Sequence, residues 1–176
     1  MSVSRSGRIR RGLAALVLIL STMAVATTSV AAESKNGRPF RISVTSEFLN
    51  QAEECAPGVP LGILTGAGRA THMGALTITG ETCGLVGVAN WIAANGDTIS
   101  TQFDTLVTGP PNPDGSIPIA FEALSVSGTG RFVDVEFSDE FVLAGLAWFY
   151  EDGSGGYLEA SGTGLIFYDA SNRSNR

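Results

Sequence analysis

Apolar and polar residues alternate in short runs from about residue 38 to residue 168, and glycine, asparagine, aspartate and proline separate the runs. Alternation with a period of two is typical of strands that bury one face. Helical periodicity over ten residues or more occurs only within the first 32 residues, so the chain is predicted to be all-β. The predicted strands lie at roughly 38–48, 59–69, 73–82, 86–94, 97–108, 117–127, 137–150 and 156–168.

Eight antiparallel strands are about the number that closes into a barrel, either filled by side chains or holding one small ligand. The predicted fold is therefore an eight-stranded antiparallel β-barrel, and a two-sheet β-sandwich is the alternative. An outer-membrane barrel needs an apolar outer row on nearly every strand. Segments 59–69 and 73–82 are too rich in glycine and threonine for that arrangement.

Local patterns add detail to three of these segments. Asn95-Gly96 separates two strands and suits a type I′ turn, which needs positive φ at both residues. Segment 141–150 is apolar on both faces, as expected of a strand that is covered on both sides. In the last segment Ala160, Gly162 and Gly164 share a face, and such small residues suit a crowded wall or a bend of a closed barrel.

The first 32 residues have the three parts of a secretory signal peptide: a basic start, an apolar run, and small residues that lead to Ala31 and Ala32. Cleavage after Ala31 or Ala32 fits the small-x-small rule. The mature protein is thus predicted to be secreted or periplasmic, with no stable membrane span. An uncleaved anchor is the alternative, and the arginine pair at 10–11 leaves twin-arginine export open. The remaining predicted parts are a flexible segment (33–37), the barrel domain (38–168) and a C-terminal tail (169–176).

The two cysteines, Cys55 and Cys83, are predicted to form a disulfide because an exported chain enters an oxidising compartment. The bond would close a loop of about 29 residues, which contributes on the order of 3 kcal/mol by loop entropy. The alternative is a reactive thiol, which needs a basic neighbour to lower its pKa. Cys55 instead follows two glutamates, and the disulfide is therefore preferred.

Without residues 1–32 the chain is strongly acidic. That segment holds four of the 11 basic residues and none of the 17 acidic ones. The other 144 residues therefore carry seven basic and 17 acidic residues, a net charge of −10. Such a body repels phosphate, which argues against nucleic acid and anionic membrane surfaces as partners. One histidine and two cysteines are too few for a four-ligand zinc site. Asn112, Asp114 and Ser116 offer oxygens to calcium but lack the EF-hand spacing, and no cofactor or metal is expected.

Few residues are candidates for catalysis. His72 is the single imidazole, so any Ser-His-Asp or Cys-His scheme must include it. Its preferred role is structural, with the ring hydrogen-bonded to backbone at a turn. The turn 95–97 is explained by turn chemistry. The glycine-rich stretch 128–131 lacks the lysine and the helix of a phosphate loop, so Arg131 is expected to pair with a carboxylate and Phe132 to plug the barrel end.

Three stretches taken together resemble the motifs of one family. Residues 68–74 (GRATHMG) resemble a G-x-A-T-H-[LM]-G element, 93–98 (AANGDT) an A-A-N-G-D-x hairpin, and 127–132 (SGTGRF) a G-G-T-G-R-F turn. In this order and spacing, the chain resembles exported bacterial proteins of the allene oxide cyclase-like barrel group over about residues 60–168. The residues that carry the resemblance are Gly68, Ala70, Thr71, His72, Gly74, Asn95, Gly96, Asp97, Gly128, Gly130, Arg131 and Phe132.

The resemblance implies an eight-stranded calycin-like barrel. Plant cyclases of this group rearrange an unstable fatty-acid epoxide largely by holding it in shape, whereas many exported members have no assigned reaction. The catalytic residues of the plant enzymes do not align with this chain, so none is carried over. The stretch Val133-Asp134-Val135 departs from the small residues and glycine that are usual in the group, so the edge of the barrel mouth is expected to differ.

Three functions fit the sequence. The preferred one is a non-enzymatic exported barrel, either structural or binding a small hydrophobic molecule, because the 14 aromatic residues all follow the signal and would make a cavity apolar. The alternatives are a cofactor-independent cyclase or isomerase that acts by shape, and a protein-interaction module. An acid that points into the cavity, for example Glu122 or Glu159, would favour the enzyme. A broad exposed apolar patch would favour the interaction module.

Overall fold

The computed structural model describes residues 36–169, which form nine strands and one 3₁₀ turn, Gly130–Phe132. The predicted signal peptide, most of segment 33–37 and the tail beyond residue 169 lie outside the described residues. No helix in the described range is long and apolar enough to cross a membrane. The strands are β1 (Arg38–Ala56), β2 (Val59–Ala70), β3 (Gly74–Cys83), β4 (Val86–Ala93), β5 (Thr98–Val107), β6 (Ile117–Gly128), β7 (Glu136–Phe137), β8 (Val142–Phe149) and β9 (Gly155–Phe167).

Eight of the strands form a closed antiparallel barrel. All except β7 pair in chain order, and β1 pairs with β9 to close the ring, with Val44 opposite Ala160. The short β7 is an additional strand that pairs with the end of β9, where Phe137 lies opposite Ile166. The closed ring confirms the predicted eight-stranded barrel and is inconsistent with a two-sheet sandwich.

The inner row of β1 shows why the alternating sequence folds this way. Phe40, Ile42, Val44 and Ser46 are buried, whereas the intervening residues 41, 43, 45 and 47 are exposed. A strand places successive side chains on opposite faces, so an alternating sequence supplies both the core and the solvent surface of a single-layer barrel.

Aromatic side chains fill one end of the barrel, which we call the closed end. It contains the start of β1, the turns 71–73 and 94–97, and the 3₁₀ turn. Phe40 is fully buried there, and its ring centroid lies 6.4 Å from that of Trp91 and 5.4 Å from that of Phe137. Phe132 is also fully buried and packs edge-on against Tyr168 at 5.0 Å. The expectation that Phe132 plugs the barrel end is confirmed.

The small residues of β9 make room for Phe141, whose ring packs against those of Phe40 and Phe137. A Cβ atom on Gly164 would lie 2.8 Å from Cα of Phe141, and a Cβ atom on Gly162 would lie 3.2 Å from the Phe141 ring. Both distances are shorter than normal carbon contacts. The predicted crowded wall is therefore present: Phe141 crowds both glycines, and the Val142 carbonyl oxygen would lie 2.7 Å from a Cβ atom on Gly162.

The prediction of one strand at 137–150, with residues 141–150 covered on both sides, was wrong. The segment divides into β7 and β8, with a turn at residues 139–140 between them. The outward-facing Val142 is 55% exposed and Ala144 is also exposed. A single-layer barrel buries only the inner face of its strands, so the apolar outer row of β8 faces solvent.

The hairpin between β4 and β5 also differs from the predicted type I′ turn. Among residues of the described range, only His72 has a positive φ without being glycine, so Asn95 does not adopt the first position of that turn. Gly96 has a φ of 86°, and the amides of Gly96 and Ala93 bond to the carbonyls of Ala93 and Asp97. This pattern is a three-residue loop in which glycine occupies the left-handed position and forms a bulge.

A disulfide joins Cys55 and Cys83, with Cα atoms 5.7 Å apart, as predicted. The sequence pattern placed the end of β1 near residue 48, but the strand continues to Ala56. The extension lacks alternating apolar residues, and its pairing with β2 is interrupted twice between Asn50 and Ala56. The disulfide ties this extension to the end of β3.

Candidate ligand cavity at the open end of the barrel

The barrel interior is not filled evenly. A cavity of about 190 Å³ lies between the middle of the barrel and the end opposite the aromatic plug. We call this the open end; its connections are the turns 57–58, 84–85 and 150–154 and the loop 108–116. Leu85, Val107 and Phe149 line the cavity and are each 58–59% exposed. These three side chains therefore form its mouth.

The cavity wall is mainly apolar and rich in aromatic rings. Inward-facing positions of neighbouring strands supply these groups; on β5, for example, they are Thr101, Phe103, Thr105 and Val107. The rings that line the cavity are Phe48, Trp91, Phe103, Phe121, Phe141 and Phe149. Phe48 and Phe149 meet edge-on at 5.4 Å near the mouth, and Phe103 and Phe121 do so at 5.4 Å as well.

Four hydroxyl side chains, Ser46, Thr82, Thr101 and Thr105, interrupt this apolar wall. Thr101 donates a long hydrogen bond to the carbonyl of Ala89, at 3.4 Å. Ser46 is only 3% exposed, and its hydroxyl has no hydrogen-bond partner among residues 36–169. Gly66 on β2 lies directly against Ser46 Oγ, and a Cβ atom at position 66 would overlap that oxygen. The glycine therefore leaves room for the Ser46 hydroxyl.

No ionisable side chain is among the described residues that line the cavity. The two acids that the sequence singled out, Glu122 on β6 and Glu159 on β9, are exposed on the outside of the barrel. Proton transfer requires a titratable group within hydrogen-bond reach of the reacting atom. The cavity therefore offers shape, aromatic contact and hydroxyl groups.

The first family-like motif builds the closed end, remote from the cavity. Thr71 Oγ1 accepts a hydrogen bond from Arg41 N–H at 2.8 Å and donates to the Pro39 carbonyl at 3.2 Å. His72 Nε2 also bonds to that carbonyl, at 3.0 Å. The predicted hydrogen bond between the His72 ring and backbone at a turn is confirmed. Gly68 and Ala70 pair with β1 beside this turn, and Gly74, with a φ of 73°, begins β3.

The second and third motifs meet each other at the same end. Arg131 Nε lies 3.3 Å from Asp97 Oδ2, and both side chains are largely buried. Asn95 Nδ2 donates to the same carboxylate oxygen at 2.8 Å. Gly130, with a φ of 60°, lies so close to Asp97 that a Cβ atom would overlap the carboxylate. A carboxylate thus occupies the position that a phosphate would need, and the predicted pairing of Arg131 with an acid is confirmed.

We expect Asp97→Ala to lower the free energy of unfolding by about 2 kcal/mol. Removing one member of a buried ion pair costs roughly 3–5 kcal/mol, and the 18% exposure of the Arg131 side chain reduces that cost by solvent screening. Urea denaturation measures the change, with Asp139→Ala on the exposed 139–140 turn as the control. A loss no larger than that of the control would contradict the structural role of the pair.

The side chains of Asn112, Asp114 and Ser116, which offer oxygens for calcium but are not expected to bind it, hydrogen-bond to one another. Asp114 Oδ1 accepts from Ser116 N–H at 3.0 Å and from Ser116 Oγ at 2.7 Å, and Asn112 Nδ2 donates to Ser116 Oγ at 2.9 Å. Within the described range, no group of three or more His, Cys, Asp and Glu side chains is placed to hold a metal ion. The three residues are therefore explained by the geometry of the loop 108–116.

The side-chain and backbone hydrogen bonds from Ser116 lower the pKa of Asp114 below its ordinary value of 3.8. The ionised carboxylate therefore stabilises the loop above the unfolded-state pKa, and this stabilisation is lost as the pH falls through the folded-state pKa. Carbon-13 NMR titration of the Asp114 carboxyl measures the shift. Ser116→Ala is expected to return the pKa towards 3.8; an unchanged pKa in that variant would contradict the assignment.

The resemblance led us to expect a different edge of the barrel mouth at Val133-Asp134-Val135, but these residues lie at the closed end and not at the mouth of the cavity. These residues follow the 3₁₀ turn at the closed end, where Val135 is buried and Val133 is 51% exposed.

Sequence motifs identified the residues that close the barrel but missed those that line the cavity. The sequence signal that could have located the cavity lining was the set of inward-facing positions in the strands next to the predicted turns at 109–115 and 151–156.

Comparison with known proteins finds no family model, no curated protein and no solved structure that matches this chain.

Proposed function

We propose that this protein is exported and binds a small apolar molecule in its barrel cavity, without carrying out nucleophilic chemistry on it. In this proposal residues 1–32 are a signal peptide that is cleaved after Ala31 or Ala32. The Cys55–Cys83 disulfide fits an oxidising extracellular or periplasmic location.

The observation that carries the proposal is an open, preformed cavity with an apolar wall. Ligand sites are concave and mostly apolar, with a few polar groups that orient the ligand. A cavity of about 150 Å³ is known to hold a benzene-sized molecule, whereas drug-sized ligands occupy roughly 300–1,000 Å³. At about 190 Å³, this cavity suits a single ring with a short substituent, or the end of a longer chain.

The hydroxyl of Ser46 supports an occupant with a polar atom. Ser46 is only 3% exposed, lines the cavity and has no side-chain partner in the described part of the chain, and polar groups in protein interiors are usually hydrogen-bonded. A ligand that presents a donor or acceptor to Ser46 Oγ would satisfy it. We therefore infer an apolar ligand with at least one polar atom.

The second candidate is a cyclase that acts by shape, which is also what membership in the allene oxide cyclase-like group would suggest. A preformed pocket is all that such a reaction requires, and the cavity is compatible with it. The absence of a carboxylate among the described cavity-lining residues, with Glu122 and Glu159 outside, favours binding over acid–base catalysis.

Filling the cavity tests the proposal. Ala147 on β8 is buried and lines the cavity, whereas Ala144 on the same strand faces solvent. We expect Ala147→Leu to weaken binding of 2-phenylethanol about tenfold, because displacing roughly two buried methylene equivalents of ligand costs about 1.6 kcal/mol. NMR titration measures the dissociation constants, and Ala144→Leu serves as the matched control that retains binding. Equal affinity in the two variants, or no binding to the unmodified protein, would contradict the proposal.

A further inference from the structure

Basic residues of the described range are distributed unequally between the two ends of the barrel, whereas acids occur at both ends. All four arginines of the described range lie at the closed end: Arg38 and Arg41 at the start of β1, Arg69 at the end of β2, and Arg131 in the 3₁₀ turn. No Lys, Arg or His occurs in the four connections that surround the open end, at residues 49–61, 83–86, 107–117 and 149–155.

Acids occupy three of these four connections. Glu53 and Glu54 lie in the β1–β2 hairpin, Asp114 in the β5–β6 loop, and Glu151 and Asp152 in the β8–β9 turn. All five are exposed and face the solvent through which a ligand arrives. A ligand that enters the mouth crosses a region of negative potential with no basic residue to offset it.

We propose that the cavity takes a cationic amphiphile: a small molecule whose apolar body lies among the aromatic rings and whose ammonium group stays at the acidic mouth. This inference rests on the proposed function, since it names the chemical class of the ligand for the same cavity. Ser46, which is only 3% exposed, lines the cavity and has no side-chain hydrogen-bond partner among residues 36–169, is independent support for an occupant.

Two physical effects favour a cation at this position. Low-dielectric walls focus the field of like charges at the entrance of a cleft and raise the local concentration of the opposite charge. Phe149, which is 59% exposed at the mouth, is also an aromatic ring of the kind that attracts a cation lying within about 6 Å of its centroid. The same acids repel the carboxylate of a fatty acid, so anionic amphiphiles are disfavoured.

The experiment compares three probes that share one apolar body: 2-phenylethylammonium, 2-phenylethanol and 3-phenylpropanoate. Dissociation constants are measured by NMR at pH 7 in 20 mM and 300 mM NaCl. At low salt we expect the ammonium to bind about tenfold more tightly than the alcohol, and the carboxylate to bind most weakly, because several unscreened acids act together. At 300 mM the Debye length falls to about 6 Å, and the preference for the ammonium should largely disappear.

A pair of double variants assigns the preference to the mouth. Glu53→Gln with Glu151→Gln removes two charges from the open end, whereas Asp139→Asn with Glu140→Gln removes two from an exposed turn at the closed end. In the first variant the ratio of the alcohol dissociation constant to the ammonium dissociation constant at 20 mM NaCl should fall about threefold, in proportion to the charge removed. In the second variant this ratio should stay unchanged.

The possible outcomes separate the two proposals. Binding of all three probes with equal affinity, or tightest binding of the carboxylate, overturns the charge inference and leaves the cavity as an apolar binding site. Equal loss of preference in the two double variants also overturns it, because net charge rather than the mouth would then be responsible. Failure of every probe to bind overturns the proposed function itself.

Discussion

Phe40→Ala is expected to lower the free energy of unfolding by about 3–5 kcal/mol, the usual cost of truncating a buried phenylalanine. Phe40 is fully buried and lies within 6.4 Å, between ring centroids, of Trp91, Phe137 and Phe141. Its removal leaves a void in the densely packed closed end, and the loss of aromatic contacts adds to the loss of buried area. Urea or thermal unfolding monitored by circular dichroism measures the change.

Phe149→Ala is the matched control for that prediction. It removes the same atoms from a ring that is 59% exposed at the mouth, so it should cost less than about 1 kcal/mol. If the two variants lost equal stability, the closed end would not be the principal core of the barrel.

Replacing both cysteines with serine should destabilise the protein by about 3 kcal/mol. Cys55 and Cys83 are 28 residues apart, and a crosslink over a loop of that size restricts the unfolded chain by roughly this amount. The barrel strands pair through their own backbone ladders, so the variant should still fold. Differential scanning calorimetry measures the shift in Tm.

The reduced form of the unmodified protein is the control for the cysteine variant. Both lack the crosslink and should unfold at similar temperatures, whereas the oxidised protein should unfold at a clearly higher one. Identical Tm values for all three forms, or two titratable thiols in the denatured, non-reduced protein, would contradict the disulfide assignment.

Much of the fold follows from local sequence pattern, because a single-layer barrel needs only alternation and well-placed turns. The inner rows of β1 and β9 are visible in the sequence, as is the crowding role of Gly162 and Gly164. Where the pattern failed, a tertiary constraint was responsible. Residues 49–56 continue as a strand through pairing with β2 and the disulfide, although they do not alternate.

The cavity was harder to predict than the fold. Motif residues such as His72 and Asp97 stand out because glycines and unusual backbone angles surround them, yet they stabilise the closed end. The cavity depends instead on how much of the interior its inward-facing side chains leave empty, and that volume is a sum over eight strands. No single residue signals it; Ser46 becomes informative only once its burial and lack of a partner are known.

A high-resolution crystal structure of the protein purified from the organism that produces it is the most direct test of ligand binding. We expect density for a small molecule among the rings of Phe48, Phe103 and Phe149, with a polar atom within hydrogen-bond distance of Ser46 Oγ. Side chains that collapse into the 190 Å³ cavity and bond Ser46 internally, leaving no space for an occupant, would contradict the account.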